Sequence, residues 1–322
     1  MRPILAVMCA VVCLALVPAG TLDATGRNST IQLLWKDPGR IGERDLSWGV
    51  GNEARAPKPP FMFVAEDVSG TKPKLDVKDA AGVTWSVKLA TAEPGQNEVH
   101  AEIAATRLVW ALGYFVDENY FVATGRVDGV KDLKRAAGVV GADGTFQRAR
   151  FERRPAGAQP AGNWHIEDNR FKGTRELSGL HSLMMLIGNW DYTEGNAIVL
   201  RVPLPTGDVE ERYLVSDLGS TFGRMRGGSN QAPNRWNLAA FIAEKPLSGV
   251  AMKRVQFRHP LLGNAPLSID LEHARWFATL LSQLTDRQVR QAFDASGASA
   301  AESAAFAGEM MKRFAEFRRI SG

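Results

Sequence analysis

The sequence predicts an α+β protein of two lobes, β-rich in its first half and mainly helical in its second. Three observations predict it. Apolar residues alternate with period two between Phe61 and Leu89, as in half-buried strands. The spacing lengthens to that of a helix from Asn97 to Leu112. From Thr174 onward helical spacing dominates, interrupted by one hairpin. Strands with a single helix followed by mostly helices suit a bilobal arrangement with a cleft between the halves. At 322 residues the chain is long enough for one large or two modest domains.

The elements follow in order. MRPILAVMCAVVCLALVPAG carries one positive charge, an apolar run and then small residues, the layout of a secretory signal peptide over 1–19. The run is shorter than the roughly 20 apolar residues a spanning helix needs, so the protein is expected to be exported. A membrane is a partner only if this segment stays uncleaved. Cys9 and Cys13 would leave with the signal, so neither disulfides nor thiolate chemistry is expected. Only Arg2 is lost among charges, so 38 basic minus 35 acidic residues leaves about +3. Such a mild charge predicts no nucleic-acid partner. Residues 20–60, rich in Gly, Pro and Asn, read as an irregular N-terminal arm.

The β-rich lobe is placed at 61–160. FMFVAEDVSG is a strand ending in a turn, and KLDVKDAAGVTWSVKLA is a hairpin turning at Asp79–Gly82. The helix from Asn97 carries Ile103, Leu108, Val109 and Leu112 and closes at Gly113. YFVDENYFVATGRV reads as a strand pair, and KRAAGVVGADGTFQRARFERRP as a hairpin with an Ala-Asp-Gly turn. The basic stretch RARFERR (148–154) reads as a solvated face.

The mainly helical lobe is placed at 161–322. Thr174 is the candidate N-cap of a helix bearing Leu177, Leu180, Leu183, Met184 and Ile187. AIVLRV and ERYLVSD form a hairpin, and three helical stretches close the chain. The five histidines are scattered, and none has metal-ligand spacing with another histidine or cysteine. No credible serine nucleophile appears.

Five elements, weak singly, gain meaning from their order. They are SGTKPKL (Ser69–Leu75), Lys88 in WSVKL, Glu98 or Glu102 on the first helix, Asp191 with Asn196 in GNWDYTEGN, and Asp217 in SDLG. Phosphoryl transfer needs backbone donors around phosphates, a cation for their oxygens, oxygen ligands for Mg²⁺ and a carboxylate to orient the attacking hydroxyl. The Ser69-Gly70-Thr71 turn, with Lys74 behind it, can cradle phosphates. Lys88 can reach them if a helix glutamate aims it. Asp191 can orient a hydroxyl, and Asn196 and Asp217 offer oxygens to a hard cation.

This order resembles the protein-kinase-like superfamily, and its HipA-like branch more than the eukaryotic one. SGTKPKL is similar to that branch's Ser-Gly-x-x-x-Lys-Leu phosphate loop. VKLATAEPGQNE resembles its strand lysine followed by Asn-Glu and a helix, and LIGNWDYTEGN its Asn-x-Asp-x-His-x-x-Asn catalytic segment. The match spans roughly residues 61 to 220. KLDV, ATRLVWALGYF and SDLGSTFG are also similar to stretches of a group of secreted bacterial proteins, a resemblance that implies no activity. The kinase resemblance implies a bilobal protein-kinase-like fold that uses ATP or another nucleotide with Mg²⁺ on a hydroxyl-bearing acceptor. By it, Asp191 is catalytic, Lys88 with Glu102 places the phosphates, and Asn196 and Asp217 hold metal.

Three departures stand beside it. Thr193 replaces the branch's histidine. Either Glu98, within the Asn-Glu pair, or Glu102, eleven residues before Gly113, partners Lys88; the helix spacing favours Glu102. An exported protein would also meet little ATP, which leaves a catalytically silent, pseudokinase-type binding or scaffold protein as the alternative.

Overall fold

The computed structural model describes residues 29–91, 97–225, 232–262 and 265–322. The expected signal peptide and the start of the arm therefore lie outside the described residues, as does the centre of ATAEPGQN. The architecture is α+β, with a β-rich first region and a second region that carries most of the helix.

Strands β2 (Phe61–Asp67), β3 (Lys74–Lys78), β4 (Thr84–Leu89), β5 (Glu118–Asp128) and β6 (Thr145–Arg153) close a barrel in the order β2-β3-β4-β6-β5. Parallel pairing of Phe61 and Met62 with Val127 and Asp128 makes the seam. The interior is filled by the alternate residues predicted to face inward, Leu75, Val77, Trp85 and Val87, together with Phe61, Phe146 and Phe151. Trp85 can be buried because its indole N–H donates to Asp79 Oδ2 at 2.9 Å. The other Asp79 oxygen accepts from the Ala81 and Val83 amides and so shapes the β3–β4 turn.

Helix α1 (Glu98–Ala111) lies between the barrel and the second region and is buried on nearly every face. Its buried faces include polar and charged side chains, Glu98, His100, Glu102, Thr106 and Arg107, so it shows no single apolar stripe. Its apolar residues join the main core, shared with α2 (Arg175–Leu186), α4 (Leu271–Leu281), α5 (Asp286–Asp294) and α6 (Ala300–Ser321). Thr174 caps α2 by accepting from the Leu177 amide at 3.2 Å. Gly188, at φ +69°, turns the chain out of α2 toward Asp191.

Two further sheets flank the helices. One has the order β1-β9-β8-β7, with β1 Thr30–Leu33, β7 Gln159–Asn163, β8 Ala197–Pro203 and β9 Val209–Val215. The N-terminal arm, expected to be irregular, thus contributes β1, paired parallel to β9. The other sheet, β10 (Leu247–Ala251), β11 (Arg254–Pro260) and β12 (Pro266–Asp270), follows the short helix α3 (Leu238–Ala243). Its signal is the alternation of buried Val255, Phe257 and His259.

Two segments differ from expectation in the barrel. YFVDENYFVATGRV supplies one long strand, β5, because residues 118–126 pair along β6 with one interruption at Ala123 and residues 127–128 go on to pair with β2. The Ala-Asp-Gly turn leads into β6, but a helical turn at Ala136–Gly138, not a strand, precedes it. Ala136 and Val140 are buried four residues apart, and the Val140 amide donates to Ala136 O, so the apolar spacing here is helical.

Candidate active site

Strand β4, helix α1 and the chain after β9 meet at one lysine. Lys88, 3% exposed, donates to Glu98 Oε1 and Glu102 Oε2 at 2.9 Å each and to Asp217 Oδ1 at 2.7 Å. Glu98 and Glu102 stand one turn apart on α1 and so present both carboxylates to the same point. The choice between them resolves into a fork held by both. Opposite Lys88 in the β4–β6 register is Arg150, 4% exposed, which reaches Glu102 Oε1 at 2.5 Å and also pairs with Glu152. From the other side Lys72 lies 3.4 Å from Glu98 Oε2, and Arg235 pairs with the same oxygen. Four cations thus face four carboxylates, which makes burial of so many charges tolerable.

The electrostatics follow from burial and these partners. Burial alone would lower the Lys88 pKa, but Glu102, Asp217 and Glu98 outweigh it and raise it, so the ammonium stays charged. Burial pushes Glu102 up against the pull of Arg150 and Lys88. Glu98 and Asp217 feel the same desolvation, yet the surrounding cations, Lys88 first, hold both below the usual range.

Asp191 and Asn196 join this cluster through the backbone. The Asn189 side chain accepts from the Asp191 amide at 3.1 Å. The Asn196 Nδ2 donates to Asp191 O at 2.9 Å and to Asp191 Oδ2 at 3.3 Å. Asn196 O in turn accepts from the Ser216 amide at 2.8 Å, next to Asp217. Asp217 itself adopts φ +50°, a left-handed conformation uncommon for a side chain larger than glycine. Trp190 donates to Asn234 O at 3.0 Å, and Arg235 lies over its ring at 5.0 Å.

The glycine after Asp217 has a steric reason. A Cβ on Gly219 would stand 2.4 Å from Glu98 Cγ. Gly219→Ala is therefore expected to shift the start of α1 and to cost about 1–3 kcal/mol, the usual range for overpacking. Chemical denaturation checks this, and an unchanged midpoint contradicts the close approach.

The SGTKPKL loop sits at the edge of the cluster. The Ser69 amide is occupied by Asp67 Oδ1 at 2.8 Å, while Gly70, at φ +67°, bends the turn. Lys74 turns away, 3.7 Å from Asp67, and Lys72 points inward to Glu98. Lys72, Arg150 and Arg235 are the site residues that sequence reasoning passed over. Arg150 had a signal, since RARFERR alternates: Ala149 and Phe151 face the barrel interior, and Arg150 faces the opposite side, which α1 covers. The solvated-face reading is corrected there, because Arg150 is committed to Glu102.

As to metal, Asn196 spends its amide nitrogen on Asp191, which leaves its carbonyl oxygen for a cation. Asp217 gives one oxygen to Lys88 and keeps the other, on a side chain 43% exposed. The pair fits a hard, oxygen-seeking ion such as Mg²⁺.

No protein-family model and no curated protein matches the sequence. Among solved structures, the chain is similar to a Helicobacter pylori proinflammatory kinase, CtkA, at 11% identity and a TM-score of 0.49. That match covers 82% of this chain and 96% of the other. At that score and identity the likeness assigns neither family nor activity.

Proposed function

We propose that this protein is an exported kinase-like phosphotransferase, moving a phosphoryl group from a nucleotide bound with Mg²⁺ to a hydroxyl acceptor. The carrying observation is the buried Lys88 fork, with Glu98, Glu102 and Asp217 around one ammonium and the Asp191–Asn196 loop bonded beside it. A lysine so held is aimed rather than mobile, as phosphate positioning requires. Glu98 marks where the phosphates would lie. It gathers Lys72, Lys88 and Arg235, three cations on one carboxylate, and among the described residues Arg235 keeps a buried Nε without a partner. Phosphate oxygens would take these cations over, while Glu102, tied also to Arg150, keeps Lys88 in place.

Asp191 would accept the proton of the acceptor hydroxyl and orient its oxygen. Asn196 and Asp217 would hold Mg²⁺, whose charge offsets that of the phosphates. The Gly70 and Thr71 amides, which donate to nothing among the described residues, would cover the phosphates from the β2–β3 turn.

Melting curves with ATP and Mg²⁺ test the binding half of this reading. A ligand at 100 times its Kd stabilises the folded state by about 2.7 kcal/mol. Glu98→Gln is expected to enlarge the nucleotide-induced shift, by removing a carboxylate that competes with phosphate. Glu102→Gln is expected to diminish it by loosening Lys88. No shift with any nucleotide, or equal shifts in both variants, would sink the assignment. One observation favours the second reading, a catalytically silent binding protein: the Lys88 ammonium already sits among the three acidic groups nearest the site. Nucleotide binding without measurable transfer would decide for it.

A further inference from the structure

A separate cavity lies at the α1–β5 connection, and none of Lys88, Glu98, Glu102 and Asp217 lines it. Its volume is about 380 Å³, within the range of small-molecule sites. The floor is apolar and partly aromatic, with Trp110, Phe115, Leu200 and Leu214. The N-terminal arm forms one wall, held close to the α1–β5 connection at Gly113. A Cβ there would stand 2.5 Å from Lys36 O, and Gly113 has φ +93°.

Four cations face this cavity: Lys36, Arg44, Arg55 and Arg212. Two of them are satisfied, Arg55 by Glu118 and Arg212 by Glu210. The other two have no carboxylate within 4 Å among the described residues. Arg44 lies over the Trp110 ring at 4.4 Å and spends two donors on the carbonyls of Pro38 and Trp110. The guanidinium is half-buried; burial lowers its pKa, and Asp37 raises it only from beyond ion-pair distance. Lys36 is exposed at the mouth.

The acidic groups do not cancel this charge. Asp37, which also lines the cavity, accepts from the Gly39 amide, and Glu118 is spent on Arg55. Asp117 is 8% exposed and has no hydrogen-bond partner among the described residues. Burial first, and then the nearby Glu152 carboxylate, pushes it well above the usual carboxylate range.

We infer that this cavity binds a small amphipathic anion, a flat apolar body carrying one acidic head. The body would lie on Trp110 and Phe115, and the head would meet Arg44 and Lys36. This reading is independent of phosphoryl transfer.

8-Anilinonaphthalene-1-sulfonate, an aromatic anion whose fluorescence rises in apolar sites, tests it on the full chain. Saturable binding of one probe per chain is expected. Lys36→Gln and Arg44→Gln should each weaken it at least fivefold, and Arg44→Lys should recover most of that loss. ATP with Mg²⁺ should not displace the probe. Lys36 is exposed, so its variant keeps the test valid if Arg44→Gln disturbs the arm. Absence of saturable binding, binding indifferent to both charge removals, or displacement by ATP would overturn the inference.

Discussion

Lys88→Met is expected to lower stability at neutral pH by about 3 kcal/mol, at the lower end of the 3–5 kcal/mol typical for breaking a buried ion pair. The cost arises because methionine fills the space but leaves Glu98, Glu102 and Asp217 with oxygens within 4.8 Å of one another. Asp217 is half-exposed and solvent screens its share, which is why the lower end applies. The main burden falls on Glu102, whose side chain is 3% exposed and which retains Arg150, and on Glu98. The loss should depend on pH in a definite direction. In the variant, the folded Glu102 pKa, already raised by burial, rises further without the ammonium. Its folded form then binds a proton more readily than its unfolded form. The deficit is therefore greatest above that raised pKa and closes as pH falls toward the ordinary glutamate value. Urea denaturation of both proteins across this window measures it. A midpoint unchanged at neutral pH would mean that Lys88 does not hold the carboxylates together.

How far the sequence was legible depended on the range of the signal. The barrel hairpin was legible because Leu75, Val77, Trp85 and Val87 alternate without interruption, and α2 because Thr174 and its apolar spacing agree. The chain order of the site was legible too, since short polar residues stood where a helix gives way to a strand. The partnership of both Glu98 and Glu102 with Lys88 was not, because a helix can present two residues one turn apart to a single point. Arg150 depended on the pairing of β4 with β6, across 59–65 intervening positions that no local pattern specifies. Arg235 reaches Glu98 from a segment with no periodic signal at all. The strand of the N-terminal arm was missed for a similar reason: β1 is short and gains its stability only from alignment along β9.

Two glycines divide the labour around Asp191 and Asp217. Gly188 supplies a positive φ at the end of α2, and Gly219 supplies room for Glu98. The first positions the loop and the second lets α1 approach it. Asp191 is joined to the lysine's surroundings through Asn196, whose backbone carbonyl accepts from the Ser216 amide next to Asp217.

Asp191→Ala accordingly has the largest expected effect on activity. If Asp191 orients the acceptor hydroxyl, its removal should slow transfer from labelled ATP by about 10³-fold or more, roughly 4 kcal/mol of barrier. Nucleotide affinity should stay within about twofold, because the ion pairs of Lys72, Lys88 and Arg235 with Glu98 are left in place. The fold should also survive: Asp191 is only half-buried, and its amide stays bonded to Asn189. The separation of these readouts is what makes the variant informative. A structural role for Asp191 would lower stability and nucleotide affinity together, since Asn196 would lose the Asp191 Oδ2 contact and hold the loop by the Asp191 backbone carbonyl alone. Asp191→Asn preserves the size of the side chain and an acceptor for Asn196 but cannot take a proton at neutral pH. It should therefore be nearly as slow as the alanine variant while melting like the parent. Transfer unchanged in both variants would remove Asp191 from the chemistry and place the orienting role on another residue.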